Sequence, residues 1–139
     1  MRRPEESLVF VRRNGELLVL HRAPNRGAYW HCVAGALEPG ESFAEAAARE
    51  LREETGLDGS VAAVGAPYAY PLSEDPTYRD VLPPGTEAVT VASFVVDAPE
   101  GWEPVLNDEH DGYRWCAVEE AAGLLRWPDV GKLARKLTS

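Results

Sequence analysis

The strongest local signal in this 139-residue chain is a helix that begins after Ser42 and ends before Gly56. Ser42 is a good N-cap, and Glu45 three residues later completes a capping box. Residues 44–54 are all good helix formers, and glycine suits the left-handed conformation that ends a helix. At about 100° per residue, one apolar stripe of this helix should face a core. Its members are Ala44, Ala47, Ala48 and Leu51.

Segments rich in Leu, Val and aromatic residues flank the helix and predict strands. Residues 7–12 and 16–22 are separated by Asn14-Gly15, a pair that favours a tight hairpin turn because both residues tolerate positive φ. We expect further strands at 29–33, 60–64, 88–96 and 113–118, helices at 118–125 and 130–137, and a proline-rich loop at 66–87. The pattern predicts an α/β fold, a mixed sheet covered by helices, in one domain over residues 1–139.

The charge of the chain limits its partners. Asp and Glu total 23 against 14 Lys and Arg, a formal net charge of −9, which is the opposite of the basic surface that binds a nucleic acid polymer. Apolar runs are far shorter than the ~20 residues of a membrane-spanning helix, and the first residues contain no apolar signal segment. We therefore expect no nucleic acid polymer, no membrane partner and a cytoplasmic location.

Three glutamates cluster on the predicted helix. Glu50, Glu53 and Glu54 have i, i+3 and i+4 spacing, at which like charges are neighbours and repel each other by a few tenths of a kcal/mol per pair. One explanation is a solvated helix face with ion pairs to Arg49 and Arg52. The other is a hard divalent cation, Mg²⁺ or Mn²⁺, which prefers carboxylate oxygens and commonly bridges to phosphates. The second explanation predicts phosphate chemistry.

The sequence around these glutamates decides between the two. Gly35-x5-Glu41-x7-Arg49-Glu50-Leu51-x-Glu53-Glu54-x-Gly56-Leu57 resembles a complete Nudix box of 23 residues. The preceding hairpin, the strand that contains tryptophan and the closing strand and helix also resemble the family. The resemblance implies an α/β/α sandwich with a central mixed β-sheet and the Nudix loop and helix. It also implies hydrolysis of a nucleoside diphosphate linked to another group, with Mg²⁺ or Mn²⁺ as cofactor.

The resemblance also implies roles for single residues. Glu50, Glu53 and Glu54 match the metal-binding carboxylates of the family, and the carbonyl oxygen of Gly35 is a common further ligand. Arg49 matches a residue that orients those carboxylates, and Glu41 an acid that braces the loop. One departure is Ala34, where many members have a second glycine.

Outside the box, an acidic loop at 107–112 contains Glu109, which matches an acid that joins the metal site or serves as general base; the alternative is a surface acid. Arg22 follows a predicted strand where related proteins often bind a substrate phosphate. Trp30, Tyr78 and Arg79 are candidates to stack on a base ring, although an aromatic residue in a strand is more often part of a core.

The segments 29–42 and 109–115 are similar to the bacterial dATP and dihydroneopterin triphosphate pyrophosphohydrolases of this family. This similarity implies water attack on a nucleoside or pterin triphosphate, with release of pyrophosphate. Three alternatives stay open: a dinucleoside polyphosphate hydrolase, a Nudix module that senses nucleotides without hydrolysis, and an acidic protein that binds divalent ions incidentally. A monomer and a homodimer are both compatible with the sequence.

Overall fold

A computed structural model describes residues 3–72 and 82–137. The chain forms eight strands and three α-helices within these residues, and a short 3-10 helix at Pro24–Arg26. The elements are β1 (Glu5–Arg13), β2 (Glu16–Arg22), β3 (Trp30–His31), β4 (Val33–Ala36), α1 (Phe43–Thr55), β5 (Ala62–Ala63), β6 (Tyr68–Pro71), β7 (Ala88–Asp97), β8 (His110–Ala117), α2 (Val118–Leu124) and α3 (Pro128–Arg135).

The hairpin and the first helix form where the sequence predicts them. Asn14 and Gly15 have φ values of 51° and 78°, the positive values of the expected tight turn. At the start of α1, Ser42 and Glu45 form the capping box, and Gly56 ends the helix with φ of 80°. Local side-chain chemistry alone therefore determines both ends of α1.

The eight strands form one mixed sheet around β1. On one edge β1 pairs in parallel with β7, and on the other it pairs antiparallel with β2 near the turn and with β4. The sheet continues from β2 to β3 and β8, and from β7 to β5 and β6. The interior position of β1 explains why residues 8–11 are all buried.

Helices cover both faces of the sheet. Leu8 and Phe10 of β1 belong to a core that α2 and α3 cover, whereas Val9 and Val11 belong to a core that α1 covers. This three-layer arrangement confirms the predicted α/β/α sandwich with a central mixed sheet. In the described part of the chain, no helix combines the length and apolar character needed to cross a bilayer.

Several element predictions need correction. The strand expected at 29–33 is divided between β3 and β4, and the strand at 60–64 is reduced to β5. Part of the expected loop at 66–87 is β6, which pairs with β7 and extends the sheet. The prolines at 67 and 71 stand before the strand and at its end, so they leave room for this pairing. Tyr78 and Arg79 lie outside the described residues, so their substrate contacts stay predictions.

Candidate functional site

Helix α1 turns two glutamates, not only alanines, toward the sheet. The side chains of Glu50 and Glu54 are 11% and 2% exposed, whereas that of Glu53 is 52% exposed. At about 100° per residue, Glu54 lies about 40° from Glu50 on one side, whereas Glu53 lies about 60° from Glu50 on the other side and about 100° from Glu54, toward solvent. The predicted core stripe was therefore wrong in part: Ala44 is exposed, and Glu50, Glu54 and Ala46 are buried instead.

Glu109 completes a group that we call the carboxylate cluster, formed by Glu50, Glu54 and Glu109. Each residue offers one oxygen, and the three oxygens lie within 4.8 Å of one another. Glu109 precedes β8, and its carbonyl oxygen accepts a 2.9 Å hydrogen bond from the N–H of Ala23. The cluster therefore joins α1 to the loops after β2 and before β8. Glu53 is not a member.

Gly35 of β4 makes room for this cluster. A Cβ atom at position 35 would lie 2.2 Å from both Cδ and Oε1 of Glu50, which is far closer than real contacts allow. Only hydrogen at this position leaves space for the Glu50 carboxylate against the β4 backbone. The close approach explains the glycine in physical terms.

The cluster is electrostatically unfavourable without a positive charge. Burial raises the pKa of Glu54 well above its usual range, and the neighbouring Glu50 and Glu109 raise it further. Among the described residues, Glu54 Oε2 has no hydrogen-bond partner. A buried anion needs a compensating charge, and three carboxylate oxygens are the donor set of a hard divalent cation. The residues present fit such an ion.

Arg49 connects the cluster to the loop before α1. Its guanidinium donates to both carboxylate oxygens of Glu41 at 2.7 and 2.9 Å, to Glu50 at 2.8 Å and to the carbonyl oxygen of Ala36 at 3.0 Å. A longer contact of 3.3 Å reaches Glu53. These bonds lower the pKa of Glu41. The guanidinium therefore links Glu50 to the loop before α1, and its role in orienting Glu50 stays a prediction.

We expect Arg49→Lys to reduce the free energy of unfolding by about 1–3 kcal/mol, because an ammonium cannot reproduce the forked contacts of a guanidinium that is 16% exposed. Urea denaturation measures the change. Arg52→Lys is the matched control, since the Arg52 side chain is half exposed and, among the described residues, forms an ion pair with Asp58 alone, at 3.9 Å. Its effect should stay within about 0.5 kcal/mol. Equal effects of the two exchanges would contradict the assigned role of Arg49.

A cavity of about 620 Å³ adjoins the carboxylate cluster on the α2/α3 face of the sheet. Its lining combines apolar side chains, aromatic rings and charges of both signs. The lining includes Leu8, Val91, Tyr29, Tyr70, Trp127, Arg22, Arg26, Arg126, Glu50 and Glu109. A space with an apolar floor, aromatic walls and guanidinium groups beside carboxylates suits a ring system that carries phosphates.

Arg22 and Trp30, two of the predicted substrate-binding residues, lie in surroundings that differ from each other. Arg22 lines the cavity, and its Nε donates to the carbonyl oxygen of Arg26 at 3.0 Å. Trp30 packs edge-on against His21 with 4.9 Å between ring centroids, and it contacts the core under α2 and α3. The aromatic residues that line the cavity are Tyr29, Tyr70 and Trp127, none of which is among the residues predicted to bind substrate. The guanidinium of Arg126 lies 5.1 Å from the centre of the Tyr29 ring.

His31 is buried in the wall of the same cavity. Burial, assisted by the nearby charge of Arg22, lowers its pKa to about 3. The unfolded chain therefore binds a proton near pH 6.5 that the folded chain excludes, so the contribution of this group to stability is complete above pH 6.5 and is lost as pH falls toward 3.

We expect the unfolding free energy to fall by up to about 1.4 kcal/mol per pH unit between pH 6.5 and 5 because of His31. The variant His31→Gln cannot take up this proton, so the difference between variant and wild type isolates the contribution of the histidine from that of Glu54. Urea denaturation with EDTA at several pH values measures it. A difference that does not vary with pH would contradict the burial of a neutral imidazole.

The family model for the NUDIX domain matches residues 1–137. An octanoyltransferase of Myxococcus xanthus is 35% identical over 123 residues, which are 88% of this chain and 32% of that protein. The NAD-capped RNA hydrolase NudC of Haemophilus influenzae is 30% identical over 136 residues, 94% of this chain and 44% of that protein. The chain thus spans less than half the length of these curated relatives.

Solved structures share the fold over nearly the whole chain. The E. coli dihydroneopterin triphosphate pyrophosphohydrolase superposes with a TM-score of 0.86 at 24% identity, over 99% of this chain and 96% of that one. At this identity the superposition establishes the fold and not the substrate. The family match over residues 1–137 extends well beyond the 23 residues of the box. The chain belongs to the Nudix family.

Proposed function

We propose that this chain is a divalent-metal-dependent hydrolase of nucleoside-diphosphate-linked substrates, and that its substrate is a nucleoside, deoxynucleoside or pterin triphosphate. The observation that carries the proposal is the carboxylate cluster, whose oxygens lie within 4.8 Å of one another at the edge of a 620 Å³ cavity. Family membership supports it, since Nudix domains act on such anhydrides.

Four groups would hold Mg²⁺ or Mn²⁺: the carboxylates of Glu50, Glu54 and Glu109 and the carbonyl oxygen of Gly35. Such an ion neutralises carboxylate and phosphate charge together and lowers the pKa of a bound water. Glu53 remains proposed as a further carboxylate of the site, although it is exposed and linked to Glu50 through Arg49. Arg49 keeps Glu50 in position.

The protein's own residues then bind and orient the substrate. Arg22 and Arg26 are placed for the phosphates, because both line the cavity and Arg26 approaches Glu109 to 3.6 Å. Tyr29 and Trp127 offer faces for a heteroaromatic ring. Glu109 is the proposed acceptor of the proton of the attacking water, since it is half-buried and lines the cavity. The products would be pyrophosphate and a monophosphate.

A product assay with Mg²⁺ tests the proposal. The panel contains dATP, dihydroneopterin triphosphate, diadenosine tetraphosphate, ADP-ribose and NADH, with pyrophosphate resolved from phosphate and nucleotide fragments. Pyrophosphate from the first two substrates is the expected result. ATP or AMP from the dinucleotide would instead indicate a dinucleoside polyphosphate hydrolase. Binding of nucleotide and Mg²⁺ without turnover would indicate a sensor module, and either result would overturn the proposed reaction.

A further inference from the structure

His110, the first residue of β8, is buried against the carboxylate cluster. Its side chain is 1% exposed, and Nε2 lies 3.7 Å from Oε1 of Glu54. Within residues 3–72 and 82–137, neither Nδ1 nor Nε2 makes a hydrogen bond. Buried polar atoms are nearly always hydrogen-bonded, so two ring nitrogens without a partner require an explanation.

An irregularity between β2 and β8 directs this side chain inward. Arg22 pairs with His110, whereas the preceding residue His21 pairs with Gly112, so β8 contains one extra residue, Asp111. An extra residue in one strand re-aims neighbouring side chains. The Asp111 carboxylate lies outside the core, 2.7 Å from Nδ1 of His21. The bulge therefore separates Asp111, on the surface, from His110 beneath the cluster.

The two carboxylate oxygens of Glu54 have different surroundings. Oε1 is the oxygen that faces His110, and Oε2 is buried and has no partner among the described residues. Carboxylates that bind a metal are themselves usually held by a hydrogen bond from a second residue. An imidazole N–H is such a donor, and a shift of less than about 1 Å would bring 3.7 Å to hydrogen-bond distance.

We propose that His110 is a positioning residue, whose Nε2–H donates to Oε1 of Glu54 in the cation-loaded protein and thereby holds Oε2 toward the cation. The inference rests on the proposed metal site. It goes beyond that site because His110 itself is neither a ligand nor a group that touches substrate.

Two exchanges separate this role from simple packing. The amide nitrogen of glutamine reaches about as far as Nε2 of histidine, whereas that of asparagine reaches only as far as Nδ1. The dissociation constant for Mn²⁺, measured by electron paramagnetic resonance without substrate, should rise about 10- to 100-fold in His110→Asn. His110→Gln should remain close to wild type. The thermal midpoint of each metal-free variant records any packing loss.

The same two exchanges at His31 provide the matched control, because His31 is a second buried histidine and belongs to the cavity wall. They should leave the Mn²⁺ dissociation constant unchanged and differ only in thermal midpoint. Equal Mn²⁺ affinity of His110→Asn and His110→Gln would overturn the positioning role while leaving the metal site intact. A wild-type protein that binds no Mn²⁺ would overturn the metal site and this inference together.

Discussion

Glu54→Gln should reduce hydrolysis by about 10³-fold while leaving the fold intact. Replacing one carboxylate of the cluster removes a charged ligand, and the loss of several kcal/mol of metal-dependent stabilisation corresponds to this factor. Steady-state rates at saturating Mg²⁺ measure the effect, and circular dichroism checks the fold. Retained turnover in Glu54→Gln would exclude Glu54 from the metal site.

The same exchange should stabilise the protein in the absence of metal. Burial and the neighbouring acids raise the pKa of Glu54 in the folded state, so its contribution to stability is complete below the unfolded value of about 4.3 and is lost as pH rises through the folded value. Glutamine has no proton to lose. With EDTA at pH 7.5, urea should therefore unfold the variant at a higher concentration than the wild type.

Glu53→Gln is the matched control on the same helix. The family resemblance implies that it also lowers hydrolysis, but the Glu53 side chain is half-exposed, whereas that of Glu54 is buried. Its metal-free stability should stay within about 0.5 kcal/mol of wild type. If both variants gained the same stability, the deeper burial of Glu54 could not be the cause of that gain.

Gly35→Ala should weaken both metal binding and hydrolysis by about 10²-fold or more, because the added methyl group would occupy the space of the Glu50 carboxylate. The φ angle of Gly35 is not in the left-handed region, so steric contact and not backbone strain is the cause. Overpacking should also reduce the unfolding free energy by about 1–3 kcal/mol. Mn²⁺ titration, steady-state rates and urea denaturation test the three effects.

Ala34→Gly provides the control beside it in β4. It creates the second glycine that many family members have, and it adds no atoms near Glu50. We expect Mn²⁺ affinity to change by less than about threefold and stability by about 1 kcal/mol at most. A loss equal to that of Gly35→Ala would mean that backbone freedom, and not the methyl contact, limits the site.

The sequence predicted those parts of the fold that neighbouring residues determine. Capping residues fix both ends of α1, and Asn14-Gly15 fixes the first hairpin, because each acts through hydrogen bonds or φ angles within a few positions. Strand β6 was not predicted because its support comes from β7, about twenty positions later in the chain. Prolines around it obscured a short alternation of Tyr68 and Tyr70.

Which face of an element is buried was harder to predict. A helical wheel assigns glutamates to solvent, yet Glu54 is buried because Gly35 and the loop before β8 enclose a charged site there. In the segment of β3, Tyr29 and Trp30 are both aromatic and point to different surroundings. Strand alternation separates the two but does not indicate which one faces a cavity.

The interior position of β1 has a consequence for how the protein acquires its structure. The ion pair of Arg12 with Asp97 joins residues 85 positions apart, and it stands at the end of the parallel pairing of β1 with β7. Non-local pairing of this kind slows folding to roughly milliseconds to seconds. Because β1 also pairs with β4, which contains Gly35, the cavity floor and the carboxylate cluster should form in the same cooperative step as the sheet.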